Sequence, residues 1–234
     1  MADIGRIGVH RIAWWGDPPA NMRDMGLLSG EWDAIHLKDS AAVARFRALG
    51  LPAHLTHEAM NPDWHCPQGA DRGPDIAVVG NYYGYRQALA ARLAARRVPL
   101  ALYGPPVPRW GNPALRLLHR GAYVVRAEKS RVFEAALAAL NSTSLAEGES
   151  LNCRAFEICG AGGLQLIEDR AAVATCFEPG HEVLTYRSVD DILAHLDQAR
   201  CNPSWAADVR TAGLARARAE HTYQHRLTRI LEAA

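Results

Sequence analysis

The chain has no surplus of charge of either sign: 26 Lys and Arg stand against 25 Asp and Glu in 234 residues, a formal net charge of +1. A broad electrostatic surface for nucleic acid or acidic membrane needs clustered positive charge, so this balance argues against both partners. Long hydrophobic runs are missing too, and none approaches the ~18–20 residues that span a bilayer. The opening stretch MADIGRIGVHRIAWWGDPP has neither a long apolar segment nor a small-residue cleavage site, so no secretory leader is expected. Cysteines are few, five in all and without paired spacing. That suits reduced thiols in the cytoplasm better than a disulfide framework. What remains, 49% hydrophobic and 22% charged residues, is enough to bury a sizeable core as one large or two small domains.

The segment Cys66-Pro-Gln-Gly-Ala-Asp-Arg-Gly-Pro74 lacks apolar periodicity and reads as a connector between a part over 1–70 and a domain over 75–234. Before residue 75 there are 7 basic and 9 acidic residues, and after it 19 and 16, so neither part is a charged module. In the second part, Ile76–Val79 is a short buried strand ending at Gly80, and Arg86–Arg97 is an Ala/Leu/Arg-rich helix former. Strands follow at Pro99–Tyr103, Leu164–Ile167 and Val183–Tyr186. Ser188 with Asp191 makes a capping box for a helix with Val189, Ile192, Leu193 and Leu196 on one face, and Asn202-Pro203 opens another. Alternation of this kind predicts an α/β fold with a parallel sheet covered on both faces, whose ligands bind beyond the carboxyl ends of the strands. The first part repeats it weakly: strands at Arg11–Trp15 and Asp33–Leu37, then a helix over Ser40–Leu49 stopped by Gly50. It reads as half a Rossmann layer.

The densest chemical signal is Glu149-Ser-Leu-Asn-Cys-Arg-Ala-Phe-Glu157, followed by Ile158-Cys-Gly-Ala-Gly-Gly163. If Asn152 caps a helix, Glu149 lies in the preceding loop and Glu157 one turn inside. The free N–H groups of the helix start then suit a diphosphate, with Arg154 adding a fork of donors. Glu157 could accept hydrogen bonds from a pair of ribose hydroxyls, with Glu149 near whatever lies beyond the phosphates. The same spacing also fits a surface loop capped by Asn152 with a solvated Glu157.

These motifs resemble the donor-site segment of two-Rossmann (GT-B) retaining glycosyltransferases, and in particular the CgeB-like group. The resemblance rests on the Glu149-x7-Glu157 spacing, Asn152-x-Arg154-x-Phe156-Glu157 and Cys159-Gly160-Ala161-Gly162. Further stretches match in order: Asp75–Gly84, Phe177–Val183, Glu220–Leu227, and in the first part Trp14–Pro18 and Pro62–His65. The resemblance implies a nucleotide-sugar substrate in a C-terminal Rossmann-type domain and an unknown acceptor approaching a truncated N-terminal Rossmann-like part. It implies sugar transfer with retention, no bound cofactor and no tightly held metal. Carried over, Glu157 holds the ribose, Arg154 and the backbone of Asn152 face the diphosphate, and Glu149 contacts the sugar. Gly80, Asn81 and Tyr82 approach the phosphates from the opposite strand end, and Arg86 stabilises the departing diphosphate or is a solvent-facing arginine. A non-catalytic partner protein that keeps the nucleotide fold is the alternative.

Other features carry two readings each. Asp17 is an acceptor-side base or a turn residue before Pro18-Pro19. His54-x2-His57 with His65-Cys66 matches no standard zinc spacing, so a cleft-lining or surface role is expected. Trp14, Trp15 and Trp32 either fill a small core or cover an open sheet in a homodimer or hetero-complex built around residues 4–37.

Overall fold

In the computed structural model, which describes residues 9–17 and 31–232, every pairing between strands is parallel. The first sheet has the order β1 (Ile12–Trp15), β2 (Ala34–Leu37), β3 (Ala53–Leu55), with helix α1 (Ser40–Ala48) crossing from β2 to β3. Asp39 caps that helix through Oδ1, which accepts the Ala42 N–H at 2.7 Å. Gly50, at φ +77°, follows its end as expected.

The second sheet runs β5-β4-β6-β7-β8, with β4 at Ile76–Val79, β5 at Leu100–Tyr103, β6 at Ala138–Asn141, β7 at Gln165–Glu168 and β8 at Leu184–Tyr186. Both its faces are buried. Ile76, Val78, Leu102, Leu140 and Leu166 pack with Leu89, Leu93, Ile192, Leu196 and Val209. These last come from α2 (Gly84–Ala95), α7 (Val189–Cys201) and α8 (Pro203–Glu220). The alternate residues Ala77, Val79 and Ala139 pack with Phe133 of α4 (Arg126–Ala135) and Ile158 of α5 (Arg154–Gly160). Burial on both faces explains why these strands read as short continuous apolar runs. The chain leaves β4 for β5 on one side and returns to β6 on the other, so the topological switch point lies between β4 and β6. The Ser188–Asp191 capping box and the Asn202 cap of α8 both form. Shorter helices α3 (Pro113–Leu118) and α6 (Ala171–Cys176) fill connections, and α9 (Tyr223–Glu232) ends the described chain.

The 66–74 connector contains no helix or strand, yet it is strapped onto α4. The buried Glu134 carboxylate accepts the N–H groups of Gln68 (2.6 Å), Ala70 (3.2 Å) and Gly69 (3.3 Å). Ser130 donates to the Trp64 carbonyl at 2.7 Å, and the Arg126 guanidinium lies 4.7 Å over the Trp64 ring. Glu134→Ala is expected to destabilise the fold by about 2–3 kcal/mol, since bonds to a charged acceptor contribute about 1.5–3 kcal/mol. Urea denaturation checks this, and a change below about 0.5 kcal/mol would mean that water replaces the carboxylate.

The last helix returns to the first part. The Met60 N–H donates to the His221 carbonyl, the Tyr223 N–H to the Met60 carbonyl (both 3.0 Å) and Arg226 Nε to the His57 carbonyl (3.1 Å). Trp15 and Trp32 pack on the small core of Ile35, Leu37, Val43 and Phe46, while Trp14 meets Tyr223 edge-on at 5.8 Å. These tryptophans are thus used inside the chain. The rest of the interface expected over residues 4–37, namely 4–8 and 18–30, lies outside the described residues. No described helix is long and apolar enough to cross a membrane.

Candidate functional site

At the switch point, β4 ends in Val79-Gly80-Asn81 and β6 in Asn141-Ser142. Because the sheet is parallel, both turns stand at the same carboxyl edge. Beside the Gly80-Asn81 turn opens a pocket of about 340 Å³. Its lining includes Gly80, Asn81, Arg86, Asn152 and Arg154, five residues that the sequence singled out, together with Lys129 and Glu147, which it did not.

Two guanidiniums frame this pocket. Arg86, at the start of α2, is buried, not solvent-facing. Its Nε donates to Ser142 Oγ at 2.9 Å, its Nη2 to the Ser142 carbonyl at 2.7 Å and its Nη1 to the Asn81 carbonyl. Arg154, the first residue of α5, donates to that same Ser142 carbonyl at 2.9 Å and to the Val79 carbonyl. Burial, with Arg154 adding like charge, pushes Arg86 down to about 9, and burial lowers Arg154 too. At about 9 Arg86 stays protonated at neutral pH, and a guanidinium such as that of Arg154 is not deprotonated in proteins. Neither has a carboxylate within ion-pair distance among the described residues; backbone carbonyls position them and leave their charge uncancelled.

Gly80 makes this possible. Its φ is +122°, and a Cβ there would lie 2.7 Å from Arg154 Nη1 and 3.2 Å from Arg86 Nη1. Gly104, φ +127°, is fitted against it in turn, since its Cβ would fall 2.7 Å from the Gly80 carbonyl oxygen.

Asn152 does not cap α5; Cys153 occupies that position, and no side chain caps the helix. The Asn152 amide instead donates to Asn141 Oδ1 at 3.1 Å, locking the loop before α5 to the end of β6. Asn152 Oδ1 is buried at the pocket wall without a partner among the described residues.

Glu157 lies one turn inside α5, as expected, and is buried. Its Oε2 takes Lys129 Nζ at 2.5 Å, and its Oε1 lies 3.4 Å from His65 Nε2. Burial lowers His65 against the pull of Glu157, so at neutral pH the ring is an uncharged donor. A carboxylate has about four acceptor sites, so these two contacts leave some free, although Glu157 is not among the residues lining the pocket. Tyr82 is turned away into the core, where its hydroxyl donates to the Tyr103 carbonyl at 3.0 Å. Glu149 is exposed, and two residues earlier Glu147 lines the pocket. Asp17 stands exposed just after β1. His54 stacks on His36 at 5.2 Å, apart from His65, and among the described residues no three His, Cys, Asp or Glu form a metal-ligand group.

Nothing local in the sequence marks Lys129 or Glu147. Lys129 sits mid-helix in α4, and Glu147 ends a 3-10 turn over Leu145–Glu147. Only tertiary placement brings them to the pocket.

Two parallel sheets, each with covering helices, match the GT-B glycosyltransferase fold. The chain belongs to the glycosyl transferase-like family, whose model matches residues 86–232. Among solved structures it is similar to a sucrose-phosphate synthase from Thermosynechococcus elongatus, with a TM-score of 0.72 at 13% identity over 99% of this chain and 69% of that one. It is also similar to Anabaena HepE in complex with UDP and glucose, with a TM-score of 0.74 at 11% identity over 99% of this chain and 72% of that one. For TarM the TM-score is 0.67 at 11% identity, over 97% of this chain but 50% of that one. No curated protein matches the chain.

Proposed function

We propose that this chain is a glycosyltransferase that moves a sugar from a nucleotide-sugar donor to an acceptor, with retention and without a tightly bound metal. The observation that carries the reading is the pair of guanidiniums, Arg86 and Arg154, anchored by backbone carbonyls and unpaired with any described carboxylate at the switch-point pocket. A departing nucleoside diphosphate needs preorganised positive charge of this kind, and the arginines supply it without a metal. In this reading the diphosphate lies against Arg86, Arg154 and the Gly80-Asn81 turn, and the ribose lies on Glu157. The sugar points to the 147–149 turn, where Glu147 lines the pocket, Glu149 stands exposed, and the unpartnered Asn152 Oδ1 can accept from a hydroxyl. The complexes of HepE with UDP and with UDP-glucose, on the same fold, support this choice of donor class.

A thermal-shift series with UDP-, GDP-, ADP- and TDP-sugars tests it. A ligand at 100 times its Kd stabilises by about 2.7 kcal/mol, or about 5–10 °C in a chain of this size. At least one nucleotide sugar should reach that shift, and Arg154→Met should remove at least half of it. Shifts below about 1 °C for every nucleotide would contradict the donor site.

A further inference from the structure

The carboxyl ends of the first sheet converge on Glu58, just after β3. Lys38, the residue after β2, places Nζ 3.1 Å from Glu58 Oε2. Gly16, the residue after β1, lies so close that a Cβ there would sit 3.0 Å from Glu58 Oε1. The same Lys38 Nζ holds Glu147 Oε2 at 2.8 Å, and Glu147 lines the donor pocket. One buried ammonium therefore separates Glu58 from the donor pocket. The Glu58 side chain is 21% exposed, and no described residue donates to its Oε1. Its backbone is held, since the bonds from Arg226 and to His221 described above fix residues 57–60.

We infer that Glu58 is the acceptor-side carboxylate, accepting through Oε1 a hydrogen bond from a hydroxyl or ammonium group of the acceptor, and that the acceptor is neutral or cationic. The inference rests on the donor-site reading above. The electrostatics give the charge class. Glu58 and Glu147 share one cation, Lys38, so this side holds more carboxylates than cations within ion-pair distance. Asp39 adds to that rim, its Oδ2 2.8 Å from where a Cβ of Gly148 would lie. Nearby His57 is pushed down to about 4 by burial and adds no positive charge at neutral pH. Burial pulls Lys38 down, but its two carboxylates outweigh that and keep it charged, while burial raises Glu58 despite Lys38. Across the pocket stand the two uncancelled arginines. An anionic group is drawn to the arginine side and repelled from the Glu58 side.

Calorimetry with UDP, followed by titration of the UDP-loaded protein with glucose, glucosamine and glucose 6-phosphate, tests this. Glucose or glucosamine should bind at least tenfold more tightly than glucose 6-phosphate. Glu58→Gln should leave UDP affinity within twofold and weaken the favoured sugar at least tenfold. Gly16→Ala, whose Cβ would crowd the Glu58 carboxylate from the Oε1 side, should also weaken that sugar and spare UDP. Equal or tighter binding of glucose 6-phosphate, unchanged sugar affinity in both variants, or no sugar bound to the UDP-loaded protein would overturn the assignment. Failure of the wild-type protein to bind UDP would instead refute the donor site, and this inference with it.

Discussion

Taking the folded protein from pH 6.5 to pH 4 is expected to lower its unfolding free energy by about 3–5 kcal/mol, on the scale of 1.36 kcal/mol per unit of pKa shift. The cause is two histidines buried in neutral form where the last helix returns to the first part. His221 donates from Nε2 to the Cys176 carbonyl at 2.7 Å, and its Nδ1 accepts from Arg226 Nη2 at 2.8 Å. Protonating Nδ1 would turn that acceptor into a donor aimed at a guanidinium. His57 lies by the same arginine, whose Nε bonds its carbonyl. Burial is the larger cause for both rings, with Arg226 adding like charge, and each is pushed down to about 4. A histidine held below its ordinary value contributes stability that is complete above about 6.5 and is lost as the pH falls toward 4. Two shifts of that size amount to about 5 kcal/mol over this interval, the upper end of the stated range. Urea midpoints at pH 7, 5.5 and 4 measure it, and His221→Gln should flatten the slope. A free energy constant down to pH 4 would show that the rings are solvated.

Phe156→Ala is expected to lower stability by about 3–5 kcal/mol, the range for removing a buried aromatic ring. Phe156 is fully buried on α5, between the arginine and the glutamate of the donor site. Its ring lies 5.8 Å from that of Phe177 and 5.1 Å from that of His221, with the Arg226 guanidinium 5.5 Å above it. It thus ties the helix carrying Arg154 and Glu157 to the start of α9. Leu151, Ala155 and Cys159 pack in the same cluster, so little nearby can move to fill the space. Urea unfolding should show the loss as a lower midpoint at unchanged slope. A loss below about 1 kcal/mol would mean that the cluster collapses around the gap.

Much of the second sheet was readable because its strands, buried on both faces, are short apolar runs with punctuating glycines: Ile76–Val79 before Gly80 and Leu100–Tyr103 before Gly104. Helix starts with side-chain signatures, Ser188 and Asn202, were equally readable. The central strand β6 was not. Ala138-Ala-Leu-Asn141 follows Glu134-Ala-Ala-Leu, a stretch whose intrinsic preference is helical. Tertiary context decides there: the strand lies between β4 and β7, with Ala138 and Ala139 fully buried. At the site, the spacing of Arg154 and Glu157 was legible because they share one short helix. The pairing of Arg86 with Arg154 through the Ser142 carbonyl joins residues 56 and 12 positions from their acceptor. No local pattern marks that. The capping role that the sequence offers for Asn152 is not taken up, for a related reason. An Asn before a helix signals a cap, but here its amide finds Asn141 on the neighbouring strand end.

The central claim is that a nucleotide sugar binds at the switch point against uncancelled arginines, and the structure of the protein crystallised with UDP tests it most directly. The account predicts the diphosphate within hydrogen-bonding distance of Arg154 and beside Arg86 at the Gly80-Asn81 turn, with the ribose hydroxyls on Glu157. UDP bound elsewhere, with this pocket left to water, would contradict it.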